Sequence, residues 1–208
     1  MNYFDLIIRL VLRNEKDIDE HLLTLFSMVL SNKPEFVFEL GVRTARSSLA
    51  FLSANQYIDC RLVSVDIDPI RPDFNFPESW KTKWTFFQKD ALKFLEDDLP
   101  KILEDRDENR SLIFYVDDWH CGEHVSKELE FISKHATPKD LIILHDLMYG
   151  NSQPHYRSVE NPSDKQWSNG GPYAAIEKLD LNDWEYCTIP RCHGLTFLRK
   201  KSNKILTE

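Results

Sequence analysis

Short apolar runs alternate with amphipathic segments along most of the chain. Phe36–Leu40, Arg61–Val65, Trp84–Gln88, Leu112–Val116 and Leu141–Leu144 are rich in β-branched or aromatic residues and mostly apolar on both faces. Such runs read as strands buried between two layers. Between them, Ser47–Asn55, Ala91–Asp105 and Glu123–His135 carry helical spacing. Strand alternating with helix predicts right-handed crossovers and a parallel sheet. The link between the second and third runs, DPIRPDFNFPESWKTK, holds three prolines, so an irregular connection with at most a short helix is expected there. After Leu144 the pattern changes. Residues 147–171 are polar and turn-rich, the pattern of a lid or substrate loop. A helix over Pro172–Leu179 follows, and the chain closes with two strands around a turn at Pro190–Gly194, which must pair as an antiparallel hairpin. The whole reads as one α/β domain over residues 1–208. Its sheet is doubly wound, seven-stranded and mostly parallel, with a C-terminal antiparallel hairpin and an N-terminal helical extension over residues 1–33.

Composition narrows this little. The chain has 208 residues, 42% of them hydrophobic and 29% charged, as in a water-soluble globular protein. A formal charge of −8 and a pI near 5.4 argue against a nucleic-acid or anionic-membrane surface, which favours basic patches. Cys60, Cys121, Cys187 and Cys192 have no CxxC spacing, so reduced thiols in a cytoplasm are expected, with no zinc knot or disulfide framework. The N-terminal MNYFDLIIRLVLRNEKD is apolar, but Asp5 and Arg9 interrupt it, and it is too short to span a bilayer. It reads as an amphipathic helix packed on the domain or on a second subunit, and a homodimer is the expectation that follows.

The chemistry gathers at the strand ends. In a doubly wound sheet, ligands bind beyond the carboxyl ends of the strands. Those positions hold Glu39 with Gly41, Asp66 with Asp68, Asp90, Asp117 with Asp118, and His145 with Asp146. A single acid there is ordinarily a helix cap or a solvated turn. Acids on five strand ends in succession would repel one another and lose water if they met at one rim, a cost that stability alone does not explain.

In order and spacing, FELGVRTARSS, RLVSVDID, FFQKDALKFL, YVDDWHCGEHVSKEL and LIILHDL resemble class I S-adenosylmethionine-dependent methyltransferases. Within them they look like small-molecule O-methyltransferases, both the catechol type and the group with sugar O-methyltransferases and cephalosporin-hydroxylase-like proteins. The resemblance covers roughly residues 34–200. It implies that Glu39 and Gly41 form the turn at the methionine end of the cofactor, with Ser47 or Ser48 at the helix start binding its carboxylate. Asp66 would accept the ribose hydroxyls and Ile67 pack on adenine. Asp90 would contact the adenine amino group, although the residues alone equally allow a helix N-cap. The family loop usually reads ExGxxxG, and here Ala45 stands at the last glycine; alanine resists positive φ. Arg43 is unexpected beside a sulfonium and would point to solvent or bind the cofactor's carboxylate.

The resemblance also implies that Asp117 is a cofactor-side metal ligand and that His120, three residues on, is the general base. Asp117, His145 and Asp146 would then hold a divalent metal (Mg, Mn, Fe or Zn). A histidine in the set favours manganese, iron or zinc, because magnesium prefers oxygen shells. Binding of substrate by His145 and Asp146 with no ion is the other reading. The expected activity is methyl transfer to a hydroxyl of a small molecule. A metal-dependent hydrolase or oxygenase on the same scaffold, or a non-catalytic relative, are the alternatives. A nicotinamide dehydrogenase is disfavoured by the missing GxGxxG. His155, Tyr156, Arg157 and Trp167 fall in the loop that would select the acceptor. His193 falls in a hairpin turn able to approach the site, and His124 and His135 fall on a helix with no assigned function.

Overall fold

The computed structural model describes residues 3–148 and 170–202. Most of the 147–171 loop, with His155, Tyr156, Arg157 and Trp167, lies outside the described residues. The elements run α1 (Tyr3–Arg13), α2 (Leu22–Asn32), β1 (Phe36–Leu40), α3 (Arg46–Ala54), β2 (Arg61–Asp66), β3 (Trp84–Gln88), α4 (Ala91–Asp97) and α5 (Leu99–Ile102). They continue with β4 (Leu112–Val116), α6 (Gly122–His135), β5 (Leu141–His145), α7 (Gly171–Glu177), β6 (Trp184–Ile189) and β7 (Leu195–Lys200). Short 3-10 turns fill Asp19–His21 and Glu78–Lys83, the second inside the proline-rich link.

One sheet of seven strands results, in the order β3-β2-β1-β4-β5-β7-β6. Strands β1 to β5 are parallel, and β7 runs antiparallel to both β5 and β6. The expected hairpin is present, with β7 inserted beside β5 so that β6 takes the edge. The strand order reverses between β1 and β4, and the crevice at their carboxyl ends is where such sheets bind ligands.

Alternation along the central strands divides the core. Phe36, Phe38 and Leu40 of β1 and Phe114 and Val116 of β4 face α4, α6 and α7, where Phe94, Leu129 and Ile132 are buried. The Phe38 ring stacks on Phe114 at 5.1 Å between centroids. Val37, Ile113 and Tyr115 point to the other face, against Leu25 and Val29 of α2 and Leu49 and Leu52 of α3. Both faces of β1 and β4 are therefore covered, which is why those runs read as uniformly apolar.

One expectation changes. The single helix over Ala91–Asp105 is split, because Pro100 cannot donate an N–H inside a helix; it sits instead in the first turn of α5, where no donor is needed. The apolar side of α1 packs on its own chain, one of the two placements expected for it. Ile7 and Leu10 are buried, and the Tyr3 ring lies 4.4 Å from Trp80. Burial of each aliphatic side chain contributes roughly 1.5–3 kcal/mol, enough to dock the extension. Among the described residues no helix is long and apolar enough to cross a membrane.

Candidate active site

The loop after β1 is built around Gly41. Its φ of +88° is one that residues with a side chain rarely adopt, and a Cβ there would lie 2.2 Å from the carbonyl oxygen of Asp117. The glycine thus lets the β1 and β4 loops touch. Ala45 takes φ +60° despite its methyl group and starts α3 with the left-handed geometry the missing glycine would have supplied. Strand alternation aims Glu39 away from the cleft and towards α3. Its carboxylate accepts from Ser47 Oγ (2.6 Å), Ser48 Oγ (2.7 Å) and Ser64 Oγ of the adjacent β2 residue. Burial drives the Glu39 pKa upward, the three hydroxyls counter only part of that, and it stands at about 7. Glu39 and Ser48 are fully buried fasteners between β1 and α3, and neither lines the cleft. Ser47 lines the cleft, although its hydroxyl proton is given to Glu39.

At the end of β2, Asp66 clamps this same loop. Its Oδ2 accepts from the amides of Val42 (2.8 Å) and Arg43 (3.0 Å), and Oδ1 from that of Asp68 (2.9 Å). A carboxylate has about four acceptor positions, so room for a ligand hydroxyl is narrow. Ile67 is 70% exposed on the cleft wall, an apolar shelf open to a flat ligand. Asp90 caps α4, accepting from the Lys93 amide at 3.0 Å, and also lines the cleft. The Arg43 side chain turns to solvent, 3.4 Å from Asp17. The cleft has a volume of about 880 Å³ and runs from Asp90 and Asp66 past Gly41 to Asp117, His120 and Asp146.

The far end of the cleft is dense in charge. Donor atoms of Asp117, His120 and Asp146 lie within 4.8 Å of one another. His120 Nε2 stands 2.9 Å from Asp146 Oδ2 and 3.5 Å from Asp117 Oδ1. His145 does not line the cleft: its buried Nδ1 lies 3.2 Å from both Asp117 Oδ1 and Asp146 Oδ1 and braces the two carboxylates from inside the domain. Of the expected metal set of Asp117, His145 and Asp146, the two acids reach the cleft and His145 does not, while His120 stands beside them there. The cause is the backbone. Asp146 adopts φ +62°, which swings its carboxylate over the strand end towards the β4 loop while His145 stays in the core.

Burial by itself would lower the His120 pKa, but hydrogen bonds and charge from Asp117 and Asp146 outweigh it and push it up to about 9. His120 is then an imidazolium at neutral pH, contrary to the neutral imidazole expected of a base. Burial opposes ionisation of the acids too, yet the charge on His145 and the hydrogen bonds from both histidines hold Asp117 low and Asp146 well below the carboxylate range. A half-buried and a buried carboxylate, Asp117 and Asp146, kept ionised and facing a polar cleft with an imidazole beside them, form a donor set that fits a divalent cation.

A model of the rhamnosyl O-methyltransferase/CmcI family matches residues 4–191. The chain belongs to that family. No curated protein matches it by sequence. Among solved structures, a putative O-methyltransferase from Klebsiella pneumoniae superposes with a TM-score of 0.62 at 13% identity, over 88% of this chain and 80% of that one. TomG, an O-methyltransferase of tomaymycin synthesis from Streptomyces achromogenes in complex with S-adenosylmethionine, gives 0.61 at 14% identity over 88% and 81%. CmcI with magnesium and S-adenosylmethionine gives 0.52 at 19% over 85% and 69%. The family and the Rossmann-like methyltransferase fold agree with the expectation from the strand-end motifs.

Several site residues of this family member were not foreseen. Tyr115 Oη donates to Asp117 Oδ2 at 2.8 Å; its position two residues earlier on the same strand face was the available signal. His193, by contrast, was expected in a turn able to approach the site, and from the β6–β7 turn it reaches Asp146 Oδ1 at 3.2 Å. Lys16, Asp17 and Ile18 of the N-terminal extension form one wall of the cleft. They are held by Arg46 at the start of α3, which is buried, bonds Asp19 through Nη1 at 2.5 and 2.6 Å, and reaches Asp73 at 3.1 Å. Nothing in the local sequence around Asp19 pointed to that pair.

Proposed function

We propose that the cleft binds S-adenosylmethionine along the Gly41, Asp66 and Asp90 rim and transfers its methyl group to a hydroxyl of a small molecule held at Asp117, His120 and Asp146. The observation that carries this is continuity: one 880 Å³ cleft joins the glycine loop to the charged cluster. In support, TomG is in complex with the same cofactor, and CmcI with the cofactor and magnesium. The amides at the start of α3 suit the methionine carboxylate, Asp66 keeps one acceptor position for ribose, and Ile67 offers the adenine shelf. Asp90 supplies an acceptor for the exocyclic amine.

Asp117 and Asp146, with His120 as third donor, would hold a divalent cation, and the imidazole favours manganese, iron or zinc. Such an ion would supply Lewis acidity, lowering the acidity threshold of an acceptor hydroxyl. The protein's own residues do the rest. His145, His193 and Tyr115 fix the carboxylates, and the cleft aligns acceptor with methyl, which is most of what a sulfonium donor requires. His120 Nε2 cannot coordinate the ion and take a proton at once; left uncoordinated, it is the group placed to take the acceptor proton.

Calorimetry tests this reading. Binding of both S-adenosylmethionine and its demethylated product supports it. Binding of a divalent metal but of neither compound replaces it with a hydrolase or oxygenase, and no binding of either replaces it with a non-catalytic relative. Metal affinity in His120→Ala decides the role of the imidazole: affinity kept supports the base, affinity lost makes it a ligand instead.

A further inference from the structure

We propose that Asp118, His124 and Glu128 form a second divalent-cation site, separate from the Asp117–His120–Asp146 cluster and reached from the same cleft. Their donor atoms lie within 4.8 Å of one another. His124 and Glu128 are one turn apart on α6 and so share a face, while Asp118 overhangs them from the β4 loop. Asp118 and His124 line the cleft, which gives an ion its route in.

The decisive side chain is Glu128. It has no exposed surface, and neither of its carboxylate oxygens has a hydrogen-bond partner. Asp118 Oδ1 is buried and without a partner as well. Three orphaned carboxylate oxygens around one imidazole are costly in a protein interior unless a cation satisfies them. The spacing is open enough for a metal ion. His124 Nε2 is hydrogen-bonded to Asp118 Oδ2 at 3.1 Å and stands 3.6 Å from Glu128 Oε1. Ligands arranged tetrahedrally at zinc-type bond lengths stand about 3.4 Å apart, between the two observed values. A proton shared by Glu128 and Asp118 is the competing account, and it satisfies one oxygen where three are orphaned. One imidazole with two carboxylates suits zinc, manganese or iron(II) better than magnesium. Bound there, the ion would fasten the Asp117–His120 loop to α6 from below, beside the contact between that loop and Gly41.

The test is cobalt(II) titration of the full chain after chelator treatment, read by visible absorption and calorimetry, with thermal melting to verify the fold of each variant. The expected result is two equivalents in the wild type, one of which His124→Ala and Glu128→Gln each remove and Asp146→Asn keeps. The proposal is overturned if both α6 variants bind as many equivalents as the wild type, or if Asp146→Asn binds none. Asp117→Asn replaces Asp146→Asn should that variant not fold, and His124→Ala suffices should Glu128→Gln not fold. Because these readouts need neither methyl donor nor acceptor, failure here leaves the methyltransferase reading standing.

Discussion

The loops after β1 and β4 begin alike in sequence, with an apolar strand running into acid, yet the acids do opposite work. Glu39 is buried, held by three serine hydroxyls and raised to about pH 7 in its titration. Asp117 reaches the cleft, is surrounded by histidines and stays ionised. Depth along the strand explains part of the contrast, since Glu39 lies within β1 under α3 while Asp117 stands just beyond the end of β4. Countercharge explains the rest, because hydroxyls cannot offset the loss of water as an imidazolium can. Glu39, Asp66 and Asp90 serve as fastener, loop clamp and helix cap, so three of the five acidic strand ends are tied into the scaffold.

The most severe way to break the contrast is to separate the two loops. Gly41→Ala drives a Cβ into the Asp117 carbonyl at a φ hostile to alanine. It should cost more than about 4 kcal/mol of stability in chemical denaturation, or leave no folded protein. Next is the β1 loop alone. Arg46→Leu leaves the buried Asp19 unpaired, and a loss of about 3–5 kcal/mol is expected.

The β4 loop is tested by His120→Ala, which should reduce turnover by roughly 10²–10⁴-fold while affinity for the demethylated cofactor stays almost unchanged. Unaltered turnover would remove His120 from the chemistry.

Glu39→Gln sharpens the comparison through pH. The carboxyl titrates at 4.5 in the unfolded chain and at about 7 in the fold. The stability from its neutral form is therefore complete below pH 4.5 and is lost as pH rises through 7. Between those limits the wild type should fall relative to Glu39→Gln by on the order of 3 kcal/mol, measured by urea unfolding across pH. The smallest effect is that of Asp90→Ala, about 1 kcal/mol for the lost cap. An added drop in cofactor affinity would assign its second oxygen to the ligand.

The sequence by itself determined the architecture. Runs such as FVFEL and LIFYV can be satisfied only between two layers, and their alternation with helices leaves a parallel sheet whose acidic strand ends share one rim. It also singled out Gly41, Asp66, Asp117 and Asp146, since strand ends are visible as places where hydrophobicity stops, and the family resemblance added His120. Only the tertiary structure decided which of these side chains meet. The left-handed turn at Asp146 sets its carboxylate beside His120, and Asp19 reaches Arg46 across 27 positions. Likewise, α6 brings His124 and Glu128 beneath Asp118. Such contacts depend on backbone direction and on packing between distant segments, and a residue's own neighbours in sequence carry no record of either.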